Sequence, residues 1–339
     1  MNIVFRVDAS KKIGMGHLMR CLALSEELTR RGNICYFLSK TDNHSLVNII
    51  NKFGINHYKI KSDVTIKEDL DILLTFSHEN HIDWVITDSY VINSCYIRKI
   101  KQNEFCVLSI DDTVHIHYFS DIVLNQNAGA EKLVFSAKYY TKFLLGSKYV
   151  MLRDELLKRE KKIRNSEVKK ILITFGGSDY DNVTLRILQL LESINKDIEI
   201  LVLLGPFNHF YEEINAYIKE TNSIIKLIKN PASMAEVYMQ SDIAISAGGS
   251  SCYELAYYGI PNIITVIADN QLCTAQELHK QKVSIYLGKR NELNPDQFKA
   301  KINELILNSS LRKKMSRNGR ILVDGKGKRR IVDFMEKLK

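Results

Sequence analysis

The sequence predicts an α/β protein built from two doubly wound parallel-sheet domains, residues 1–156 and 169–339, joined by a linker at 157–168 and leaving a cleft between them. Three observations carry this expectation. Short β-type apolar runs alternate with helical patterns, and the alternation restarts after residue 170. Runs such as Trp84-Val85-Ile86-Thr87 show little polar alternation, as strands do when helices cover both faces of a parallel sheet. Glycine-rich turns stand between a strand-like run and a helical run at 14–16, 176–177 and 248–249.

In order along the first half, strands are expected at 3–7, 34–39, 84–88, 105–110 and 121–124. Helical periodicity fills 18–31, 45–53, 66–81 and 94–102, and helices of that length between strands imply crossover connections. Residues 157–166 are charged and poor in core residues, which marks a linker. The second half repeats the scheme, with strands at 171–175, 199–204, 224–228, 243–246 and 263–266. Its helices are expected at 182–194, 211–221, 234–240, 252–258 and 273–281, with two more, 295–307 and 328–338, closing the chain. No fixed period relates the halves, which argues against a solenoid.

A chain of 339 residues has room for two domains of ~150 residues. Its 45% hydrophobic and 26% charged residues are those of a globular protein. No apolar run approaches the ~20 residues of a membrane span. The first run is interrupted by Arg6 and Asp8 and makes a poor secretory signal, so a cytoplasmic protein without membrane contact is expected. Six cysteines form no CxxC pair and no zinc-spaced cluster, which favours reduced, buried thiols. Of the net charge of +9, most lies beyond residue 309, where eleven bases face three acids. Nucleic-acid binding and a solvated basic helix end are both open there. The absence of interleaved aromatics for base stacking favours the second.

The most informative motif is Gly14-Met15-Gly16-His17. Two glycines permit a tight turn and close approach to a ligand, and the following helix points its first N–H groups at an anion. The positive end of that helix disfavours an imidazolium, so His17 suits a general base; a histidine that only caps the turn or binds phosphate is the alternative. A second motif, Ala247-Gly248-Gly249-Ser250-Ser251-Cys252-Tyr253-Glu254, offers backbone N–H groups and hydroxyls to a diphosphate. Glu254 in the first helical turn can accept hydrogen bonds from ribose hydroxyls. Gly176 and Gly177 form the equivalent turn after the second half's first strand. Neither glycine segment fits a nicotinamide fingerprint or a P-loop, and no cofactor is expected. In Ala268-Asp269-Asn270-Gln271, Asn270 and Gln271 can hydrogen-bond a sugar, or Asp269 and Asn270 can cap a helix. Asp8, Asp88-Ser89-Tyr90 and Asp111-Asp112 end strands and form a polar floor. Adjacent aspartates point apart, and His115 and His117 are a weak pair, so no metal site is expected.

Taken together, Arg6-Val7-Asp8-Ala9-Ser10, the 13–21 segment, Asp88-Ser89-Tyr90, Asp111-Asp112, Leu152-Arg153-Asp154-Glu155, the 248–254 segment and Ala268-Asp269-Asn270-Gln271 resemble the PseG family. Its members are UDP-2,4-diacetamido-2,4,6-trideoxy-β-L-altropyranose hydrolases of pseudaminic acid biosynthesis. The resemblance implies a GT-B fold of two Rossmann-like domains, like that of MurG-type glycosyltransferases, with water replacing the acceptor. It implies that His17 activates this water for inverting attack on the anomeric carbon, with UDP leaving. UDP would lie on the second domain, against Gly176, Gly177, Gly248, Gly249, Ser250, Ser251 and Glu254. The sugar would meet Asp8, Gly14, Gly16 and Tyr90 on one side and Asn270 and Gln271 on the other. The expected partner is a small UDP-sugar, with no nucleic acid and with the chain a monomer. Two other readings stay open: a GT-B glycosyltransferase acting on a hydroxyl acceptor, and a non-catalytic nucleotide-sugar or polyanion-binding module.

Overall fold

The computed structural model describes residues 1–8, 15–40, 44–157, 167–177, 179–194 and 197–338. The chain divides into two compact units, Met1–Asp154 with Gly325–Lys339, and Glu155–Asp324. Most of the expected linker, 158–166, lies outside the described residues.

The first unit runs β1 (Asn2–Val7), α1 (Gly16–Arg30), β2 (Ile34–Ser39), α2 (His44–Lys52), β3 (Asn56–Lys59), α3 (Ile66–Glu79), β4 (Trp84–Asp88) and α4 (Ser94–Gln102). It continues through β5 (Cys106–Ile110), β6 (His117–Tyr118), β7 (Ile122–Asn125), β8 (Ser136–Ala137) and β9 (Lys142–Leu145); the short helix α5 (Asp154–Leu157) starts at the last residue of this segment and otherwise falls in the second unit. Seven strands form one parallel sheet in the order β3-β2-β1-β4-β5-β7-β9. Its central strands are buried along nearly their whole length, which is why they lack polar alternation. The sequence does not announce β3 (Asn-His-Tyr-Lys) or β9. Both are short strands at the sheet's two edges, where half-exposed positions tolerate polar residues.

The second unit runs β10 (Lys170–Thr174), α6 (Val183–Leu191), β11 (Glu199–Leu204), α7 (Tyr211–Glu220), β12 (Ile225–Lys229), α8 (Met234–Gln240), β13 (Ile243–Ser246) and α9 (Ser251–Tyr258). Then come β14 (Asn262–Val266), α10 (Leu272–Lys280), β15 (Ser284–Lys289), α11 (Pro295–Leu307) and α12 (Ser309–Leu322). The six strands are parallel in the order β12-β11-β10-β13-β14-β15. Strand β15 and helix α12 are additions to the expected elements. Helix α12 packs closely on α9: a Cβ on Gly319 would come within 2.9 Å of the Ala256 carbonyl oxygen.

The last helix, α13 (Gly327–Lys337), departs from expectation. It belongs to the first unit rather than to the second. Lys328 is only 2% exposed and its ammonium lies 2.8 Å from Glu26 and 2.7 Å from Asp154, while Arg31, at the C-cap of α1, pairs with Asp333 and Glu336. The basic tail is therefore not simply a solvated helix end. Lys328 is an internal ion-pair partner, and buried Arg312 donates to the carbonyls of Leu305 and Ile306 at the end of α11. Gly327 lets α13 seat: a Cβ there would lie 2.1 Å from the Val150 carbonyl oxygen and 2.6 Å from the Tyr149 carbonyl carbon. Backbone must shift to admit it, at a cost of about 1–3 kcal/mol. Gly327→Ala is expected to lower the thermal midpoint by several degrees; an unchanged melting curve would contradict the contact.

Candidate active site

In open parallel sheets ligands bind beyond the carboxyl ends of the strands, where the strand order reverses. In the first unit that point lies between β1 and β4, which pair in register with Val7 opposite Asp88. Helix α1 follows β1 and begins at Gly16, so His17 stands in its first turn. Its Nδ1 is 2.5 Å from Asp88 Oδ1. An ionised carboxylate only accepts hydrogen bonds, so Nδ1 carries the hydrogen and donates it. That leaves Nε2 as the basic atom of the ring.

Arg20, one turn along α1, holds the carboxylate still. Its Nε donates to Asp88 Oδ2 and its Nη2 to Oδ1, both at 2.6 Å. The Cys21 thiol, 3.4 Å from Asp88 Oδ2, donates as well; burial and then the Asp88 charge push this thiol well up, so it keeps its proton. Burial by itself would raise the Asp88 carboxyl, but the Arg20 charge and the hydrogen bonds from Arg20 and His17 outweigh it and hold the group well below the usual carboxylate range. The Tyr90 ring meets the His17 ring edge-on, with centroids 4.7 Å apart, and is 38% exposed. Among the described residues, a Cβ on Gly16 would meet nothing within 4 Å. Gly14 lies outside the described residues.

Asp8 has a different setting. It accepts from Arg6 Nη1 at 2.6 Å, from the Lys40 amide at 3.1 Å and from Ser89 Oγ at 2.9 Å. Fully buried Arg6 turns its other edge to Asp69, at 2.9 and 2.7 Å. Asp8 thus braces the ends of β1 and β4. Asp111 folds its own turn by accepting from the Thr113 amide and hydroxyl at 2.6 Å. Sequence reasoning placed Asp88 and Asp112 only among strand-end carboxylates and did not single out Arg20. The legible signal was the spacing of His17 and Arg20, three residues apart on one helix face.

In the second unit the strand order reverses between β10 and β13, and both glycine turns flank that point. After β10, Gly176 adopts φ +77°, which favours glycine. The turn packs against Gly205, where a Cβ would come 2.2 Å from the Gly176 carbonyl oxygen. Ser178 lies outside the described residues. The N-terminus of α6 is already occupied: Asp179 accepts from the Val183 and Thr184 amides at 2.9 and 3.0 Å. Helix α9 differs, since Ser250 at its N-cap makes no side-chain cap and is exposed. Gln271 Oε1 accepts from the Gly248 and Ile267 amides, both at 3.2 Å, tying the β13 turn to the β14 turn. Gly248 sits tightly against Gln271 and Ala275, whereas a Cβ on Gly249 would make only ordinary contact, 3.7 Å from Gln271 Nε2. The half-buried Glu254 carboxylate accepts from the Tyr238 hydroxyl. The N-cap position of α10 is Gln271, whose side chain makes no cap; Asp269 pairs with Lys289 at 2.9 Å, and Asn270 is exposed.

Residues 154–333 match the glycosyltransferase family 28 C-terminal domain. Over 308 residues the chain is 31% identical to the uncharacterised protein MJ1062 of Methanocaldococcus jannaschii, covering 87% of this chain and 60% of that protein's length. It is 25% identical to the spore coat polysaccharide biosynthesis protein SpsG of Bacillus subtilis, covering 100% of this chain and 98% of the relative. It is 24% identical to the UDP-2,4-diacetamido-2,4,6-trideoxy-β-L-altropyranose hydrolase of Campylobacter jejuni, covering 74% and 86%. Among solved structures, MurG of Acinetobacter baumannii superposes with a TM-score of 0.72 over 99% of both chains at 16% identity. The fold is GT-B, with two Rossmann-like domains, as expected. With more than half of its length matched by that model, this chain is a member of glycosyltransferase family 28.

Proposed function

We propose that the protein is a nucleotide-sugar hydrolase that splits UDP-2,4-diacetamido-2,4,6-trideoxy-β-L-altropyranose into UDP and the free sugar. The observation that carries this reading is the His17–Asp88 pair, with Nδ1 bound to a clamped carboxylate and Nε2 left as the proton acceptor. A water oxygen attacks the anomeric carbon while its proton passes to His17 Nε2. The bond from that carbon to the diphosphate oxygen breaks with its electron pair, so UDP departs and the configuration inverts. Asp88 stabilises the imidazolium as it forms. Gly16 borders the sugar beside Tyr90, and Asp8 keeps the strand ends in place. On the second unit, the backbone N–H groups of Gly249, Ser250 and Ser251 at the start of α9 receive the charge developing on the diphosphate, while Gly248, whose amide is taken by Gln271, shapes the turn that borders it. Gly176 and Gly177 border the nucleotide, Glu254 takes the ribose hydroxyls, and Asn270 and Gln271 contact the sugar end. The Campylobacter jejuni relative named for this hydrolysis supports the substrate.

Incubating the purified protein with that UDP-sugar, and with no acceptor, tests the reading. Free UDP and free sugar in equal amounts are expected. A second reading, a transferase, is favoured by the family 28 match; UDP release that appears only when a hydroxyl acceptor is added would establish it instead. Glu254→Ala is expected to weaken UDP binding about 10- to 100-fold, the range of hydrogen bonds to a charged group. Titration calorimetry with UDP checks this, and an unchanged Kd would remove Glu254 from the nucleotide site.

A further inference from the structure

We propose that Asp112 is a positioning residue for His17 and acts through Arg20. The inference rests on His17 being the general base. Two groups compete for His17 Nδ1. Asp88 Oδ1 lies at 2.5 Å and accepts, while Arg20 Nη2 lies at 3.0 Å and can only donate. If the guanidinium pivoted and donated to Nδ1, the ring hydrogen would move to Nε2, and Nε2 could no longer take a proton from water. Arg20 is held off by its other contacts. Nε and Nη2 form a fork on Asp88, and the remaining corner, Nη1, lies 3.5 Å from Asp112 Oδ2. Asp112 thus pulls the guanidinium at the corner left over from the fork and keeps Nη2 on the carboxylate.

The state of Asp112 fits a role of this kind. Its side chain is 11% exposed, and its Oδ1 is buried with no hydrogen-bond partner among the described residues. Leaving a buried acceptor unsatisfied is unfavourable, so packing alone does not account for a carboxylate here. The turn that carries it is built by its neighbour, since Asp111 accepts from the Thr113 amide and hydroxyl. Asp88 and Asp112 face one guanidinium, a surplus of one negative charge that the imidazolium offsets when His17 takes its proton. Among the described residues, the ion pair that links Asp112 to His17 and Asp88 is the one with Arg20, so Asp112 acts through Arg20.

The test reads the ring directly. In the full chain labelled with ¹⁵N-histidine, long-range ¹H–¹⁵N spectra at about pH 8, above the ordinary imidazole range, report which nitrogen carries the hydrogen; His17→Gln assigns the signal. Wild type is expected to hold it on Nδ1. Asp112→Asn is expected to raise the Nε2–H form several-fold and to lower kcat about tenfold, with KM within twofold. A wild-type ring protonated on Nε2, or a folded Asp112→Asn protein with unchanged tautomer and unchanged kcat, overturns the proposal. If Asp112→Asn does not fold, Arg20→Lys replaces it, because one ammonium cannot span both carboxylates as the guanidinium does. It should show the same tautomer shift, and its absence is equally fatal. A wild-type protein with the expected tautomer but no UDP-sugar hydrolysis would sink the proposed activity and leave this inference standing.

Discussion

Asp88→Asn is expected to abolish most turnover and to destabilise the first unit at the same time. Asparagine keeps the shape but carries no charge and offers an N–H₂ group as well as an oxygen. The His17 tautomer is then no longer dictated, and loss of a buried aspartate that sets a catalytic histidine's tautomer costs ~10⁴-fold in kcat elsewhere. Arg20 meanwhile keeps its charge inside the protein without the carboxylate that now meets it at 2.6 Å through two nitrogens. Breaking one half of a buried ion pair costs about 3–5 kcal/mol. The same pair sets a pH dependence. Because the folded Asp88 carboxyl is held below its unfolded value, its stabilising contribution is present above pH ~4 and is lost as the pH falls below it. Acid unfolding should therefore be shallower in Asp88→Asn than in wild type. Equal kcat, or superimposable acid-unfolding curves, would show that the pair does not have this role.

His17→Ala is expected to lower kcat by about 10²–10⁴-fold, the usual contribution of a general base, while UDP affinity stays within about twofold. The separation follows from where the groups sit: His17 belongs to the first unit, whereas the glycine turns and Glu254 belong to the second. Single-turnover hydrolysis together with UDP titration resolves the two effects. Normal turnover would exclude His17 as the base. Loss of UDP binding in proportion to turnover would mean that the ring only holds phosphate.

Much of this arrangement was legible in the chain. Glycine turns followed by amphipathic periodicity announced the starts of α1 and α9, and the alternation of apolar runs with helices announced two parallel sheets. The pairing His17–Asp88–Arg20 was not legible. His17 and Asp88 are 71 residues apart, and nothing in either local pattern says that β1 and β4 are neighbours. Asp8, Asp88, Asp111 and Asp112 look alike as strand-end carboxylates. Only their surroundings separate them: Asp8 is taken by Arg6 and Ser89, Asp111 by its own turn, and Asp88 by His17 and Arg20.

The amino-acid sequence alone determined the fold class, the positions of the glycine turns and the residue types able to hold a diphosphate or move a proton, because these follow from local periodicity and backbone freedom. Tertiary structure decided which carboxylate faces the histidine, that an arginine fixes it, and that the basic final helix returns to the first unit instead of closing the second. Those outcomes depend on strand order and on contacts between residues far apart in the chain. A helix records in its own pattern that it has an apolar face, but not which surface will cover it.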